Sequence, residues 1–454
     1  MKKLLLLVVC ALTTLAGHGQ KEVYTSTTPA FTVTVPEMGA DGRAVVIVPG
    51  GGYNHIAGAH EGKDWIPFFT QQGITVIVTS YTLPEGDREK PLADIRNTFR
   101  YLHEHGEQWG VNPNAIGIMG FSAGGHLASA YANSEKGKLR PAFEILFYPV
   151  IRLDNREHAG MARKFLGEDV SDEQRSSWST HKMVTSETPP TFILASDDDP
   201  TIDPLNSALY YEALREKRVQ ASMHIYPSGG HGFGFRTSFP YHEQMKSELR
   251  DWLKTLFLPN AKARKIACIG NSITYGARLK FRDRESWPAQ LQTMLGPGYW
   301  VRNFGNSGTT MTDGDRSYVR EAPYQYAKQF DPDMVFIKLG TNDVQPRHWK
   351  DEEAYVSAYQ KLIDELKALP SKPKIVLCLP ATSYRQEKIL DADIEQKVIP
   401  LIRKIAKKNK LDVIDLHTPT ANHPEMFPDQ LHPNADGERI IAETIAGYIN
   451  VGGR

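Results

Sequence analysis

The sequence predicts an α/β protein built from two successive units, each with a mostly parallel sheet. Short runs rich in Val, Ile, Leu and Phe alternate with amphipathic stretches, and this alternation occurs in both halves of the chain. Continuous apolar runs are typical of strands buried on both faces, and strands that alternate with helices favour a parallel sheet covered on both sides. At 454 residues the chain is long enough for two domains with separate cores.

The first unit spans residues 21–258 and contains six apolar runs. The runs, which we predict to be strands, are residues 44–49, 74–80, 116–120, 144–150, 191–196 and 221–227. Residues 92–109 and 205–218 have the helical spacing of apolar side chains between two such strands.

A linker is predicted at residues 259–264, where the apolar periodicity lapses, and a second unit at residues 265–454. Its predicted strands are residues 265–270, 299–305, 333–340, 374–380 and 411–416, with helices that include 352–369 and 435–449. The halves share a fold class but no repeated motif.

The N-terminal residues 1–20 are typical of a secretory signal peptide, because Lys2 and Lys3 precede a short apolar stretch and then small residues. This predicts a secreted or periplasmic protein; lipidation at Cys10 and a retained anchor are the alternatives. Cys268 and Cys378 lie within predicted strands and are expected to be free core thiols. Lys plus Arg and Asp plus Glu both number 53. This balance argues against a nucleic-acid partner, and no later segment predicts membrane insertion.

The first unit carries a serine in a strand-to-helix turn. Residues 120–124 read GFSAG, a nucleophile elbow in which two glycines permit a sharp turn around Ser122. The glycine loop at residues 49–53 (PGGGY) can direct backbone N–H groups toward a developing oxyanion, with the Ala123 N–H as a second donor. An aspartate run at 197–199 and a histidine within residues 229–233 (GGHGF) close two later strands, in the order Ser, Asp, His.

These motifs resemble the acetyl-xylan-esterase and esterase branch of the α/β-hydrolases over about residues 30–258. The resemblance implies Ser122 as nucleophile, His231 as general base and then acid, and Asp199 as the residue that orients His231. Asp197 and Asp198 remain alternatives to Asp199. The implied oxyanion donors are Gly51, Gly52 and Ala123. Pro49 departs from the related lipase pattern, in which His often precedes the glycines.

The second unit carries a different set of four motifs, each at a predicted strand end or just before the last helix. They are residues 270–274 (GNSIT), 303–308 (NFGNSG), 338–343 (KLGTND) and 429–433 (DQLHP). Open α/β sheets place their sites at the carboxyl ends of strands, so the four motifs are expected to meet.

This set resembles the SGNH, or GDSL-type, hydrolases over about residues 264–451 and implies a flavodoxin-like fold. The resemblance implies Ser272 as nucleophile, His432 as base and Asp429 as its orienting acid. Oxyanion donors would be the Ser272 and Gly308 N–H groups and the Asn342 amide. Asn271 replaces the usual Asp before the serine.

Together the resemblances imply an exported bifunctional carbohydrate O-acetylesterase with two Ser-His-Asp sites, acting on acetylated xylan-type polysaccharide or sialic acid. No cofactor or metal is implied. The alternatives are a feruloyl or short-chain carboxylesterase, or one catalytic domain beside a silent glycan-binding domain. A peptidase remains formally open, since the same triad cleaves amides.

Two further groups of polar residues lie close to these motifs. His55, His60 and Glu61 are expected to line the first substrate mouth or to pack its glycine loop. The segment from Asp343 to Trp349 either borders the second cleft or forms an ordinary polar loop.

Overall fold

The first half of the chain forms an eight-stranded sheet in the computed structural model, which describes residues 20–37 and 39–452. Its strands are β1 Gln20–Thr27, β2 Ala30–Pro36, β3 Ala44–Val48, β4 Thr75–Thr79, β5 Ile116–Phe121, β6 Glu144–Phe147, β7 Thr191–Ser196 and β8 Ala221–Tyr226. The spatial order is β1-β2-β4-β3-β5-β6-β7-β8. All pairs from β4 to β8 are parallel, as the continuous apolar runs predict.

The antiparallel hairpin of β1 and β2 is the part of this sheet that the apolar runs do not reveal. Strand β1 lies at the sheet edge, and half of its residues are exposed. Its side chains therefore do not form a continuous apolar run. The predicted signal peptide, residues 1–20, lies outside the described residues except for Gln20, which begins β1.

Helices cover both faces of the first sheet. They are α1 Ile66–Thr70, α2 Glu89–His105, α3 Ser122–Ser134, α4 Ala159–Leu166, α5 Asp172–Ser177, α6 Leu205–Glu216 and α7 His242–Thr255. Apolar cores fill both faces. The predicted strands 144–150 and 74–80 are longer than observed; beyond Phe147, residues 148–150 leave the sheet to form a loop.

A five-stranded, fully parallel sheet forms the second half. Its strands are β9 Arg264–Gly270, β10 Tyr299–Gly305, β11 Met334–Lys338, β12 Lys374–Cys378 and β13 Asp412–Ile414. The order β10-β9-β11-β12-β13 is the doubly wound, flavodoxin-like order that begins 2-1-3. The predicted fold classes of both units are confirmed.

Helices flank the second sheet as well. They are α8 Ser272–Tyr275, α9 Arg282–Glu285, α10 Trp287–Leu295, α11 Ala322–Phe330, α12 Glu352–Lys367, α13 Asp391–Asp393, α14 Ile399–Asn409, α15 His417–Thr420 and α16 Ala435–Gly452, with a π-helical turn at Ile394–Val398. Cys268 and Cys378 are buried free thiols, as predicted. In the described ranges, no helix combines the length and apolarity needed to cross a bilayer.

Contacts link the two sheets around the predicted linker. The side chains of Asn112 and Asn114 donate to the carbonyls of Pro259 (2.7 Å) and Asn260 (2.9 Å). Further along this boundary, the Glu187 carboxylate accepts from Arg302 of β10 at 2.9 Å. These contacts hold the end of the first unit against the start of the second.

Candidate active sites

Ser122 lies in a tight turn between β5 and α3. Its backbone has φ +51°, in the left-handed region that non-glycine residues rarely occupy. The two glycines of the motif allow close packing, since a Cβ on Gly120 would lie 2.4 Å from the Gly124 carbonyl oxygen and one on Gly124 would lie 2.3 Å from that of Pro49. The turn therefore projects the serine hydroxyl beyond the carboxyl edge of the sheet, at the start of a helix.

The structure brings Ser122, His231 and Asp199 together in hydrogen-bonded order. His231 Nε2 lies 2.9 Å from Ser122 Oγ, and His231 Nδ1 lies 2.7 Å from Asp199 Oδ2. The Asp199 side chain is fully buried. Its second oxygen accepts from the backbone N–H groups of Thr201 (2.8 Å) and Ile202 (3.0 Å). Because backbone N–H groups fix one oxygen of the Asp199 carboxylate, the other oxygen is directed toward the imidazole of His231.

The two alternative aspartates lie apart from His231. Asp198 is exposed and accepts from the Gly230 N–H at 2.8 Å, which fastens the loop that carries the histidine. Asp197 is also exposed. The geometry therefore favours Asp199 as the partner of His231.

The glycine loop lies beside Ser122 and is fixed by Glu61. A Cβ on Gly50 would lie 3.1 Å from that of Ser122, so the two backbones are in close contact. Glu61 is buried; its Oε2 accepts from the Gly50 N–H (2.9 Å), and its Oε1 accepts from the Tyr148 hydroxyl (2.8 Å). Tyr148 in turn accepts from the Gly234 N–H, so one carboxylate joins the glycine loop to the histidine loop.

This arrangement limits which backbone groups can act as oxyanion donors. The Gly50 N–H is occupied by Glu61, whereas those of Gly51 and Gly52 have no acceptor among the described residues. Gly51 and Gly52 have φ +118° and +63°, which orient this turn. The Ala123 N–H lies in the first turn of α3, where helices leave N–H groups unpaired. Of the two uses predicted for the His55–Glu61 region, Glu61 packs the loop, while His55 is exposed.

Ser272 occupies the corresponding position in the second sheet, between β9 and α8. Asn271 caps the turn, its side chain accepting from the Ile273 N–H at 3.4 Å. His432 Nε2 lies 2.9 Å from Ser272 Oγ, and His432 Nδ1 lies 2.7 Å from Asp429 Oδ2. The predicted serine, histidine and acid of this unit therefore also form a hydrogen-bonded chain.

Asp429 differs from Asp199 in its surroundings. Its side chain is 30% exposed, and its Oδ1 accepts from the N–H groups of Leu431 (3.1 Å) and His432 (2.7 Å). Partial burial acts to raise the pKa of Asp429, but the hydrogen bonds from His432 and Leu431 and the charge of the imidazolium outweigh it, and the pKa is lowered. The carboxylate is therefore ionised at neutral pH.

The second oxyanion motifs meet beside this triad. Asn342 Nδ2 donates to the Thr309 carbonyl at 2.8 Å, which joins the Asn342 loop to the loop that contains Gly308. An amide carries two N–H donors, so one remains for a substrate oxygen. Gly308 has φ +78°, a conformation that suits glycine.

Asp343 does not border the cleft, contrary to one of the two uses predicted for its segment. It is fully buried and accepts from the N–H groups of Met311 (2.9 Å) and Thr312 (2.9 Å). Burial raises its pKa, an effect that these hydrogen bonds oppose. Trp349 packs against Tyr355, with ring centroids 5.9 Å apart. Through Asp343, this segment therefore supports the loop that contains Met311 and Thr312, close to the second site.

One cluster outside the triads has residue types that bind metals. Asp391, Glu395 and His417 offer ligand atoms within 4.8 Å of one another. His417 Nε2 already contacts Asp391 Oδ1 at 3.1 Å, and this hydrogen bond raises the pKa of His417. The buried His417 and the partly exposed Asp391 are therefore explained as an ion pair.

Comparison with known proteins supports both halves of this description. The alpha/beta hydrolase fold family matches residues 45–235, and the GDSL-like Lipase/Acylhydrolase family matches residues 268–440. An acetylxylan esterase of Xylanibacter ruminicola is 40% identical over 433 residues, which cover 90% of each chain. Endo-1,4-beta-xylanase B of Butyrivibrio fibrisolvens is 32% identical over 203 residues, 41% of this chain and 32% of that protein.

Among solved structures, the acetyl ester-xyloside bifunctional hydrolase of Caldicellulosiruptor lactoaceticus is 27% identical. It covers 54% of this chain and 98% of its own, with a TM-score of 0.46.

The two folds and the family matches define a carboxylic ester hydrolase. The chain belongs to the family of the Xylanibacter ruminicola acetylxylan esterase. It consists of an α/β-hydrolase domain followed by a GDSL-like domain.

Proposed function

We propose that this protein is an exported carbohydrate O-acetylesterase with two independent active sites, one in each domain. The observation that carries the proposal is the pair of Ser-His-Asp arrangements, both with a 2.9 Å distance from imidazole Nε2 to serine Oγ. A domain kept only as a scaffold or a binding module has no need for that geometry. The likeness to an acetylxylan esterase along 90% of the chain supports acetylated xylan-type polysaccharide as substrate.

The same reaction follows from both arrangements. The serine Oγ attacks the acetyl carbonyl carbon while His Nε2 takes the hydroxyl proton, and the aspartate holds Nδ1–H so that the imidazolium is stabilised. The oxyanion is held by Gly51, Gly52 and Ala123 in the first site, and by Ser272, Gly308 and Asn342 in the second. Collapse breaks the C–O bond to the sugar, whose oxygen receives the proton from His. Water, deprotonated by the same His, then releases acetate and restores the serine.

Export is supported by the sequence of residues 1–20, with its two lysines and short apolar stretch. An extracellular or periplasmic location would give the enzyme access to polymeric substrate.

Serine replacement tests the two-site proposal. Acetate release from acetylated xylan is measured for the wild type, Ser122→Ala, Ser272→Ala and the double variant, along with acetylated mannan, pectin and sialic acid. Each single variant should retain the other site's share of the panel, and the double variant should lose at least about 10³-fold, since removal of a nucleophile abolishes the acyl-enzyme route. Labelling with a serine-directed phosphonate should give two adducts per wild-type chain, one per single variant and none in the double variant.

Ser134→Ala is the matched control, because Ser134 ends the same helix that Ser122 begins. It should keep both adducts. A single adduct on the wild-type chain would mean that one domain is silent, and faster cleavage of methyl ferulate than of any acetylated sugar would replace the acetylesterase proposal with a feruloyl esterase.

A further inference from the structure

Two arginines flank the acid of the second triad. Arg278 Nε lies 3.8 Å from Asp429 Oδ2, and Arg385 Nη2 lies 3.7 Å from the same oxygen. They come from different loops, one after α8 and one after β12. The Arg278 side chain is 78% exposed, so its guanidinium borders solvent at the triad.

These guanidinium groups keep their hydrogen-bond donors. The Asp429 oxygens are already occupied by the His432 ring and by two backbone N–H groups. At 3.7 and 3.8 Å the arginines are ion-paired with the carboxylate but lie outside hydrogen-bond distance. Neither guanidinium donates a hydrogen bond to any residue in the described part of the chain. Two positive charges therefore face a single carboxylate.

A third arginine, Arg316, lies on the loop that follows β10. Arg316 Nη2 donates to the Ser307 carbonyl at 2.8 Å, beside the oxyanion residue Gly308. Burial is the main cause that lowers the pKa of His348, and the charges of Arg347 and Arg316 lower it further. Asp313 and Asp315 share the Arg316 loop, but within residues 20–37 and 39–452 neither forms an ion pair.

At the first triad no guanidinium of the described residues lies beside the acid, although Lys164 Nζ lies 3.5 Å from the carbonyl oxygen of Gly52 in the glycine loop. Asp199 is fully buried, and the Tyr148 ring lies 4.8 Å from the His231 ring in an edge-on arrangement. In the described ranges, no guanidinium lies within 4 Å of Asp199. The arginines are thus a property of the second site alone, and the triad chemistry itself does not require them.

We propose that Arg278 and Arg385 bind a carboxylate of the substrate, so that the second site prefers acetyl esters on acidic sugars such as uronic acids. A guanidinium presents paired N–H donors that match a carboxylate, and an arginine whose N–H donors are unused can engage it without breaking a hydrogen bond within the protein. This inference rests on the proposed catalytic role of Ser272. It assigns the second site to acetyl groups that lie near a charged unit of the glycan.

A matched pair of substrates tests the preference. The probes are an acetylated methyl uronoside and its uronamide, in which a neutral amide of similar shape replaces the carboxylate, and the enzyme is the full chain with Ser122→Ala. We expect kcat/KM to be at least about tenfold higher for the uronoside, mainly through KM, because a charge-assisted pair contributes that much. The ratio should fall as salt is raised from 0.01 to 0.5 M, since exposed charges are screened.

Arginine variants in the same background separate recognition from support of Asp429. The double variant Arg278→Gln/Arg385→Gln should bring the uronoside to uronamide ratio close to one, because the loss should be larger for the uronoside than for the uronamide. Arg278→Lys should give an intermediate ratio. Arg439→Gln, which removes an exposed arginine paired with Glu443 on α16, should leave the ratio unchanged.

The possible failures can be told apart. Equal rates on both probes with wild-type arginines would overturn the inference and leave the second site catalytic. An equal loss on both probes in the double variant would show that the arginines act only through Asp429. No acetate from either probe would show instead that Ser272 is not a nucleophile, in which case the proposed second site fails along with the inference.

Discussion

The two sites reach the same triad geometry with acids of opposite character. In the first domain Asp199 is fully buried, comes from a different loop than His231, and is fixed by backbone N–H groups of its own loop. In the second domain Asp429 precedes His432 by three residues on one turn and is 30% exposed. Both aspartates lie 2.7 Å from their imidazoles. The distance from the carboxylate to the histidine is therefore the same in both sites, although one carboxylate is buried and the other is partly exposed.

A second similarity between the domains is a buried carboxylate close to each site. Glu61 in the first domain and Asp343 in the second are buried, accept backbone N–H groups from an adjacent loop, and do not belong to a triad. Each holds a loop next to its nucleophile in place. The two domains share no motif, yet both use a buried carboxylate where the chain must be held without secondary structure.

The largest expected difference between the sites is in their response to loss of the acid. Asp199→Asn, measured with Ser272→Ala, should lower kcat by about 10⁴-fold, because a buried amide cannot stabilise the imidazolium and favours the wrong tautomer. Asp429→Asn, measured with Ser122→Ala, should cost about 10²-fold, since the acid position is partly exposed and water there can replace part of the lost interaction. The measurement is steady-state hydrolysis of 4-nitrophenyl acetate.

Equal losses in the two backgrounds would break this comparison, because burial of the acid would then have no influence on catalysis. Asp198→Asn provides the control in the first domain: it is exposed and bonds the Gly230 N–H, so it should change kcat by less than Asp199→Asn.

The sequence reveals the parallel strands of both sheets and the motifs of both candidate sites, because these depend on local patterns. Strand β7 has the predicted bounds, and each serine follows an apolar strand within a glycine-containing turn. His231 and Asp199 are separated along the chain, but they follow the neighbouring parallel strands β8 and β7, so the sheet itself implies that they meet.

What the sequence does not reveal depends on contacts between distant segments. Glu61 follows a loop without regular structure, and its partner Tyr148 lies in another part of the fold. Asp343 stands next to Asn342 in a polar segment, so nothing local distinguishes a buried carboxylate from an exposed one. Arg278 and Arg385 come from separate loops that only the folded chain brings together around Asp429.

A smaller effect is expected from loss of the loop-holding carboxylate. Glu61→Gln leaves either the Gly50 N–H or the Tyr148 hydroxyl without its acceptor, and an unsatisfied buried donor costs about 1–3 kcal/mol. We expect that loss in the free energy of unfolding, by urea titration, and about tenfold lower kcat at the first site from displacement of the glycine loop. The second site, assayed with Ser122→Ala, should be unaffected.

Asp343→Asn is the matched variant in the second domain. It should lower activity of the Ser272 site and spare the Ser122 site. If Glu61→Gln lowered both activities equally, the sites would be coupled through the fold, and the independence on which the comparison rests would fail.

The smallest expected effect concerns the ion pairs that join the domains. The Glu187 side chain is 7% exposed; its carboxylate contacts Arg302 of the second sheet at 2.9 Å and Arg140 of the first domain at 3.2 Å. Burial lowers the pKa of Arg140, an effect that the charge of Glu187 opposes. Glu187→Gln would leave two partly buried cations facing each other, at a cost of about 2 kcal/mol. Scanning calorimetry should therefore show unfolding that begins at lower temperature, with kcat unchanged at both sites because neither triad contacts this cluster.

Glu89→Gln is the control, because the Glu89 carboxylate is 59% exposed beside Arg88 and Arg96. It should change the free energy of unfolding by less than about 0.5 kcal/mol. A change in kcat at either site on loss of Glu187 would mean that contacts at the domain boundary position catalytic groups. The two sites would then be coupled and not independent.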